Sequence, residues 1–405
     1  MRNSFSNMLS YAAALQCVET WAKKSSRPSC VVPLTQAVGR ITATAIFACS
    51  NRPETDVSAM DGYAFAHAAM ASAPEGLRIQ GLTVAGAQPV ALPDGYAQKI
   101  LTGASVPQGA DCVMAMERMV QAPNSERIRP LQALAEKGAN IRRAGEEFKQ
   151  GDLLVPCGQR LDWRHIALLA CQKIHTVTVV QPLHIALVAN GAELSSTAAD
   201  CRADSNTPML AALFESYGAR VTPFLVASDD QNALTATLEE ALHKADIIVT
   251  TGGISVGMTD NVMDAFLSLG AHALFRGVKM RPGKPVSLFE KEGKLAFCLP
   301  GNPGASALCA QVLVVPYLRS VMGQQPEVLL LPGRVEFAFT ALPDTTHFVP
   351  VAATATAQGY VFTQLPTVGA SDIIVLSRAA AFLQVNPAET IAQNQMCQVV
   401  PLQAM

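Results

Sequence analysis

Arg281 and Lys284 flank Pro282-Gly283 in the run Met280-Arg281-Pro282-Gly283-Lys284-Pro285. Proline fixes one backbone angle and glycine lets the chain turn sharply, so both cations can face one pocket. Guanidinium and ammonium groups suit phosphate or another oxyanion. Two glycine-bearing stretches stand near this pair in sequence. Thr251-Gly252-Gly253-Ile254-Ser255 follows a short β-branched run, and Leu299-Pro300-Gly301-Asn302-Pro303 precedes Ser306. Glycines let backbone N–H groups approach a ligand, and a helix N-terminus nearby favours an anion. Thr251, Gly252, Gly253, Ser255, Arg281, Lys284, Pro300, Gly301, Asn302 and Ser306 are therefore the candidate substrate-binding residues. Glu193, Asp229 and Asp260 add hard carboxylate oxygens. Mg²⁺ takes one or two carboxylates plus substrate oxygens, and Asp229 with Asp260 suits it. Helix capping is the competing explanation of both aspartates. Asp246 opens its strand, at the other end of the sheet, and reads as structural. The seven histidines show no metal-ligand spacing.

These residues need strand ends and helix starts to hold them. From residue 182 the pattern is regular. Apolar strands are expected at 183–189, 221–226 and 246–250, with helices at 207–217, 231–244, 261–269 and 305–322. Asn206 is a candidate N-cap, with Pro208 near the first turn and Gly218 after the end. Strand–helix alternation implies right-handed crossovers and a doubly wound, mostly parallel α/β sheet, with ligands beyond the carboxyl ends of the strands. Residues 65–135 alternate short strands with Gly and Pro, which reads as a β-rich insert. After 326 the helical pattern stops, and short strands suggest a small β-barrel or sandwich. Near the N-terminus, Met8, Ala12, Leu15, Val18 and Ala22 recur at helical spacing, and Asp162 is placed to cap a second helix. Asp61-Gly62 between apolar neighbours reads as a hairpin turn.

With 405 residues the chain exceeds one ordinary core. Half of it is apolar and 15% is charged, a globular composition. A net charge of -2 argues against a nucleic-acid binder. Ten cysteines without a Cys-x-x-Cys pair suggest reduced thiols and a cytoplasmic protein rather than a zinc site. No apolar run reaches the roughly 18 residues of a membrane span, so no membrane is expected.

Taken in order, the motifs resemble the molybdopterin molybdenumtransferase family, the MoeA and gephyrin E-domain family. The matching set is Ser58 to Ala64, Leu101-Thr102-Gly103-Ala104, Pro107 to Asp111, Asn140 to Glu147, Asp204-Ser205-Asn206, Thr251 to Asp260, Arg281 to Pro285 and Leu299 to Ser306. The resemblance implies four domains. They fall at 1–50 with 136–181, a discontinuous linker and dimer domain; 51–135, the β-rich insert; 182–325, the α/β molybdopterin-binding domain; and 326–405, the C-terminal β domain. It implies a homodimer whose active site draws on both subunits. It also implies a reaction in which adenylylated molybdopterin and molybdate give molybdenum cofactor and AMP, with Mg²⁺ as cofactor. A molybdopterin adenylyltransferase is an implied partner. By motif, Asp61, Thr102, Glu193, Asp229, Asp260, Arg281 and Ser306 match functional positions, the first five catalytic. The chain departs from the family pattern at Val57, Glu147, Ala192, Gly277 and Pro350. Two other readings compete: a non-catalytic molybdopterin-binding or scaffolding paralogue, and a molybdopterin adenylyltransferase. The Met60 to Ala64 insert argues against the latter.

Overall fold

A computed structural model describes residues 8–121, 125–191, 194, 203–228, 230–253, 261–325 and 330–402. The chain forms two compact units. The smaller comprises Thr44–Cys157 and Asp162–Thr176, and the larger holds the rest.

The smaller unit is built on a six-stranded sheet in the order Cys112–Ala115, Gly62–Phe65, Tyr96–Ile100, Leu77–Thr83, Arg127–Pro130, Met119–Gln121. Phe65, Met114, Leu77 and Ile128 fill its core. The hairpin expected at Asp61-Gly62 does not form. Val57–Ser58 pairs with Ile141–Arg142, whereas Gly62–Phe65 pairs with 96–100 and 112–115. Met60-Asp61 thus links two sheets. Gly62 is required there by a close approach: a Cβ would stand 2.1 Å from the Met114 carbonyl oxygen. Asp162 caps the helix Trp163–Cys171 as expected, accepting from the Arg164 and His165 N–H groups.

In the larger unit, His184–Asn190, Arg220–Val226, Ile247–Thr251 and Lys294–Leu299 run parallel, with Arg220–Val226 on the edge, where Pro223 is tolerated. Ser287–Lys291 and His272–Arg276 extend the other edge antiparallel. Alternate side chains enter opposite cores. Ile185, Leu187, Ile247 and Val249 meet Leu210 and Phe214 of one helix and the apolar run after Pro303. Ala186, Val188 and Ile248 meet Leu234, Leu238 and Phe266 on the other face. Burying each large apolar side chain contributes about 1.5–3 kcal/mol, so a two-faced apolar strand belongs in the middle of such a sheet.

Several details differ from the sequence reading. The extended stretches His272–Arg276 and Val278–Arg281 are broken apart at Gly277, whose φ of +76° turns the chain out of the sheet. Val278–Arg281 then joins the C-terminal domain, parallel to Thr346–Thr356. That domain is a closed barrel, since Thr346–Thr356, Gly359–Gln364, Leu331–Val335, Met396–Pro401 and Ala381–Val385 pair around a full ring. The Pro303–Val321 helical run carries a π segment at Ala310–Val314. Its length and hydropathy would allow it to cross a bilayer, contrary to the expectation that no such run exists, but 83% of its most apolar window is buried in the fold. It is the central core helix. The N-terminal helix Tyr11–Lys24 buries Tyr11, Ala14, Val18 and Ala22, so its inner face is turned away from the expected Ala12. Tyr11 sets that face, its ring edge-on to Phe348 at 5.1 Å.

Candidate functional site

The parallel strands end in loops around a cavity of about 260 Å³. Asn190 ends one strand and Thr251 another, and Gly301-Asn302 follows a third. Two helices begin at its wall, Asn206–Ser216 and Pro303–Cys309. Their first N–H groups have no intrahelical partner, so an anion is favoured in front of them. Two of these groups are already taken: the Gly304 N–H donates to the Ala370 carbonyl at 2.9 Å, and the Thr207 N–H to Asp204 Oδ1 at 3.0 Å.

Gly252 makes this geometry possible. Its φ is +89°, and a Cβ would lie 2.3 Å from the Asn190 carbonyl oxygen. Thr251 is buried, and its hydroxyl donates to the Pro300 carbonyl at 3.3 Å. Gly301 and Asn302 are exposed at the mouth. Ser306 is fully buried one turn into its helix, and its Oγ has no hydrogen-bond partner. It stands behind the cavity wall rather than on it.

Arg281 and Lys284 occupy a separate place. They are exposed on a hairpin closed by Gly277 N–H to Val286 O and Val278 N–H to Lys284 O. The hairpin tip leans on the 303–309 helix, where the Cys309 thiol donates to the Gly283 carbonyl at 3.7 Å. Cys309 lies about 9 Å along that helix from its start at Pro303, at 1.5 Å per residue. Neither cation has an ion-pair partner among the described residues, so both charges are uncommitted. Arg281 is paired in register with His347. Burial first, and the Arg281 charge second, push the His347 imidazole below its ordinary pKa. It therefore stays neutral at pH 7 and adds no third charge.

In the smaller unit, Asp61 and Thr102 come together although 41 residues separate them. Asp61 Oδ1 accepts from the Thr102 N–H at 2.7 Å and from its hydroxyl at 2.8 Å. Those bonds, the backbone one first, lower the Asp61 pKa, so the carboxylate is charged throughout the neutral range. The Asn140–Glu147 segment is a solvated ion-pair network, with Arg52 and Arg142 on Glu147 at 2.8 and 2.6 Å. Exposed pairs of this kind contribute roughly 0–1 kcal/mol each.

Glu193, Asp229, Ser255 and Asp260 lie outside the described residues. One neighbour bears on Asp229. The helix Gln231–Lys244 is capped by Asp230, whose side chain accepts from the Asn232 N–H at 2.9 Å. Asp229 is thus not needed as that cap. Asp246 is structural as expected: it pairs with Arg27 at 2.8 Å and accepts the His184 N–H. Among the described residues no group of three or more His, Cys, Asp or Glu side chains could hold a metal ion. Asp204, on the cavity wall, commits one oxygen to the Thr207 N–H.

Five polar residues on the wall were absent from the sequence-derived site: Asn190, Asp204, Ser205, Asn206 and Ser371. Asn206 was expected to cap its helix. Instead it is the first helical residue, Asp204 does the capping, and the Asn206 amide reaches Thr251 and Gly301. Its place in the Asp204-Ser205-Asn206 motif was the available signal. Ser371 arrives from the C-terminal segment, and its signal was its place one residue after Gly369-Ala370, where the family pattern has Gly-Ser.

This fold and cavity define an α/β protein of the molybdopterin-binding class. Residues 9–172 match the MoeA N-terminal region (domain I and II), and residues 186–320 match a probable molybdopterin binding domain. A molybdopterin molybdenumtransferase of Staphylococcus aureus (strain Mu50) is 32% identical over 348 residues, covering 83% of this chain and 82% of the relative. One from Nostoc sp. is 34% identical over 305 residues, covering 72% and 69%. The chain belongs to the molybdopterin molybdenumtransferase family. In fold it matches the crystal structure of a molybdopterin biosynthesis MoeA protein from Pyrococcus horikoshii, with a TM-score of 0.83, 24% identity, and 98% and 100% of the two chains covered.

Proposed function

We propose that this protein is the molybdenum-inserting enzyme of molybdenum cofactor biosynthesis, taking adenylylated molybdopterin and molybdate to molybdenum cofactor and AMP. The observation that carries this reading is the cavity at the carboxyl ends of the parallel strands, where two helix N-termini and the Gly252 and Gly301 backbones favour a phosphorylated ligand. In this reading the uncommitted charges of Arg281 and Lys284 receive molybdate, a dianion. Asp61, held charged by Thr102, and Glu193 act on the substrate with Asp229 and Asp260. Mg²⁺ would be held by Asp229 and Asp260 and would offset phosphate charge. The capping of the 231–244 helix by Asp230, which leaves that role filled, supports the assignment. The test is AMP release by the purified protein from adenylylated molybdopterin. Release that depends on molybdate is expected; none with a substrate-competent preparation would favour a non-catalytic paralogue.

We further propose a cytoplasmic homodimer with an active site shared between subunits, supplied by a molybdopterin adenylyltransferase. Asp61 and Thr102 belong to a compact unit separate from the cavity's, which motivates sharing. Mixing Asp61→Ala with Asp260→Ala protein is expected to recover part of the activity through one intact hybrid site. No recovery after verified subunit exchange would remove the shared site.

A further inference from the structure

The ladder between Ile247–Thr251 and Lys294–Leu299 ends with Thr251 opposite Leu299. The next two carbonyls, of Pro300 and Gly301, pass beyond the reach of strand pairing. Side chains take them over. The Thr251 hydroxyl donates to Pro300 O at 3.3 Å, and Asn206 Nδ2 donates to Gly301 O at 2.8 Å. The same Nδ2 donates to the Thr251 hydroxyl, also at 2.8 Å. A carbonyl oxygen only accepts, so Gly301 fixes which way the Asn206 amide faces. Both amide protons are then committed, and Oδ1 is buried without a partner. One side chain thereby ties the first turn of the 206–216 helix to the end of a central strand and to the loop that starts the 303–309 helix. The two glycine loops so joined are in contact: a Cβ on Gly301 would stand 3.5 Å from the Gly252 Cα.

We propose that Asn206 is a positioning residue, setting through Thr251 the separation of the Gly252 and Gly301 loops that cradle the substrate's phosphates. This rests on the function proposed above and names a residue that reading did not contain. An amide is needed because two donors must leave one atom toward two oxygens. A carboxylate of the same shape would face the Gly301 carbonyl with like partial charge; a protonated carboxyl would restore one donor.

The experiment measures AMP binding by calorimetry, molybdate-dependent AMP release, and thermal unfolding, for wild type, Asn206→Ala and Asn206→Asp. Asn206→Ala is expected to bind AMP about ten-fold more weakly, a loss of ~1.4 kcal/mol. Asn206→Asp is expected to be as weak at about pH 8 and to recover toward the wild type at about pH 5.5, because burial against the Gly301 carbonyl raises its carboxyl well above the ordinary value of ~3.9 and lets it gain a proton there. Each value is taken relative to wild type at the same pH, which cancels titration of AMP itself. Unfolding midpoints should stay within a few degrees. An Asp variant that tracks the wild type at every pH would overturn the proposal. So would binding losses that merely follow losses of stability. A wild type that binds AMP without turnover would sink the functional reading alone, and the Asn206 inference would then be judged on binding. A wild type that does neither would end both.

Discussion

Replacing Gly252 with alanine is expected to lower molybdate-dependent AMP release by roughly 100-fold or more, since a misplacement of about 1 Å at a reacting site costs on that order. Two effects add. The φ of +89° belongs to a region that costs an L-residue about 1–2 kcal/mol. The new Cβ would also sit 2.3 Å from the Asn190 carbonyl oxygen. Asn190 ends a central strand paired on both sides and is 5% exposed, so the strand cannot yield. The loop must move instead, and the Gly301 loop in contact with it moves too. Gly293→Ala separates strain from collision. Gly293 has a φ of +81° with nothing within 4 Å of a Cβ, in a turn outside the cavity wall. That variant should lose about 1–2 kcal/mol of stability at unchanged turnover. Rates and unfolding midpoints of both proteins test this. Comparable turnover in the two would mean the close approach at Gly252 serves no ligand.

Lys284→Ala should raise the half-saturating molybdate concentration about ten-fold or more, through loss of a charge-assisted bond of roughly 1.5–3 kcal/mol. The reason is the absence of any competing carboxylate: neither Lys284 nor Arg281 is ion-paired among the described residues. His347 is held neutral beside them and adds no further charge. Because both are exposed, their attraction is screened by salt over about 10 Å at 0.1 M. Raising ionic strength should therefore weaken molybdate use by the wild type more than by the variant, which keeps only the Arg281 charge. Pterin binding should suffer less, since the cavity lies along the helix from these cations. Identical half-saturation and rate in the two proteins would remove the pair from the oxyanion site.

Much of this molecule follows from local pattern. Ile185 to Ala189 and Ile247 to Val249 are apolar on both faces, and a strand buried on both faces must lie between helices. The alternation of such strands with amphipathic stretches determined a parallel sheet, and with it the end of the sheet where glycine loops collect. Gly252 was legible because glycine is demanded there by backbone geometry, which a single position reveals. Side-chain partnership has no such local signature. A polar residue before a helix reads as a cap, because that is its commonest short-range bond, and Asn206 and Asp229 were both open to that reading. The tertiary structure gives capping to Asp204 and Asp230 and spends the Asn206 amide on two loops 45 and 95 residues away. It likewise pairs Asp61 with Thr102 across separate strands and carries Val278–Arg281 out of one sheet into the edge of a barrel. Those choices depend on which distant backbone groups remain unpaired once the ladders and cores have formed. That is a property of the assembled fold, and no stretch of the chain contains it.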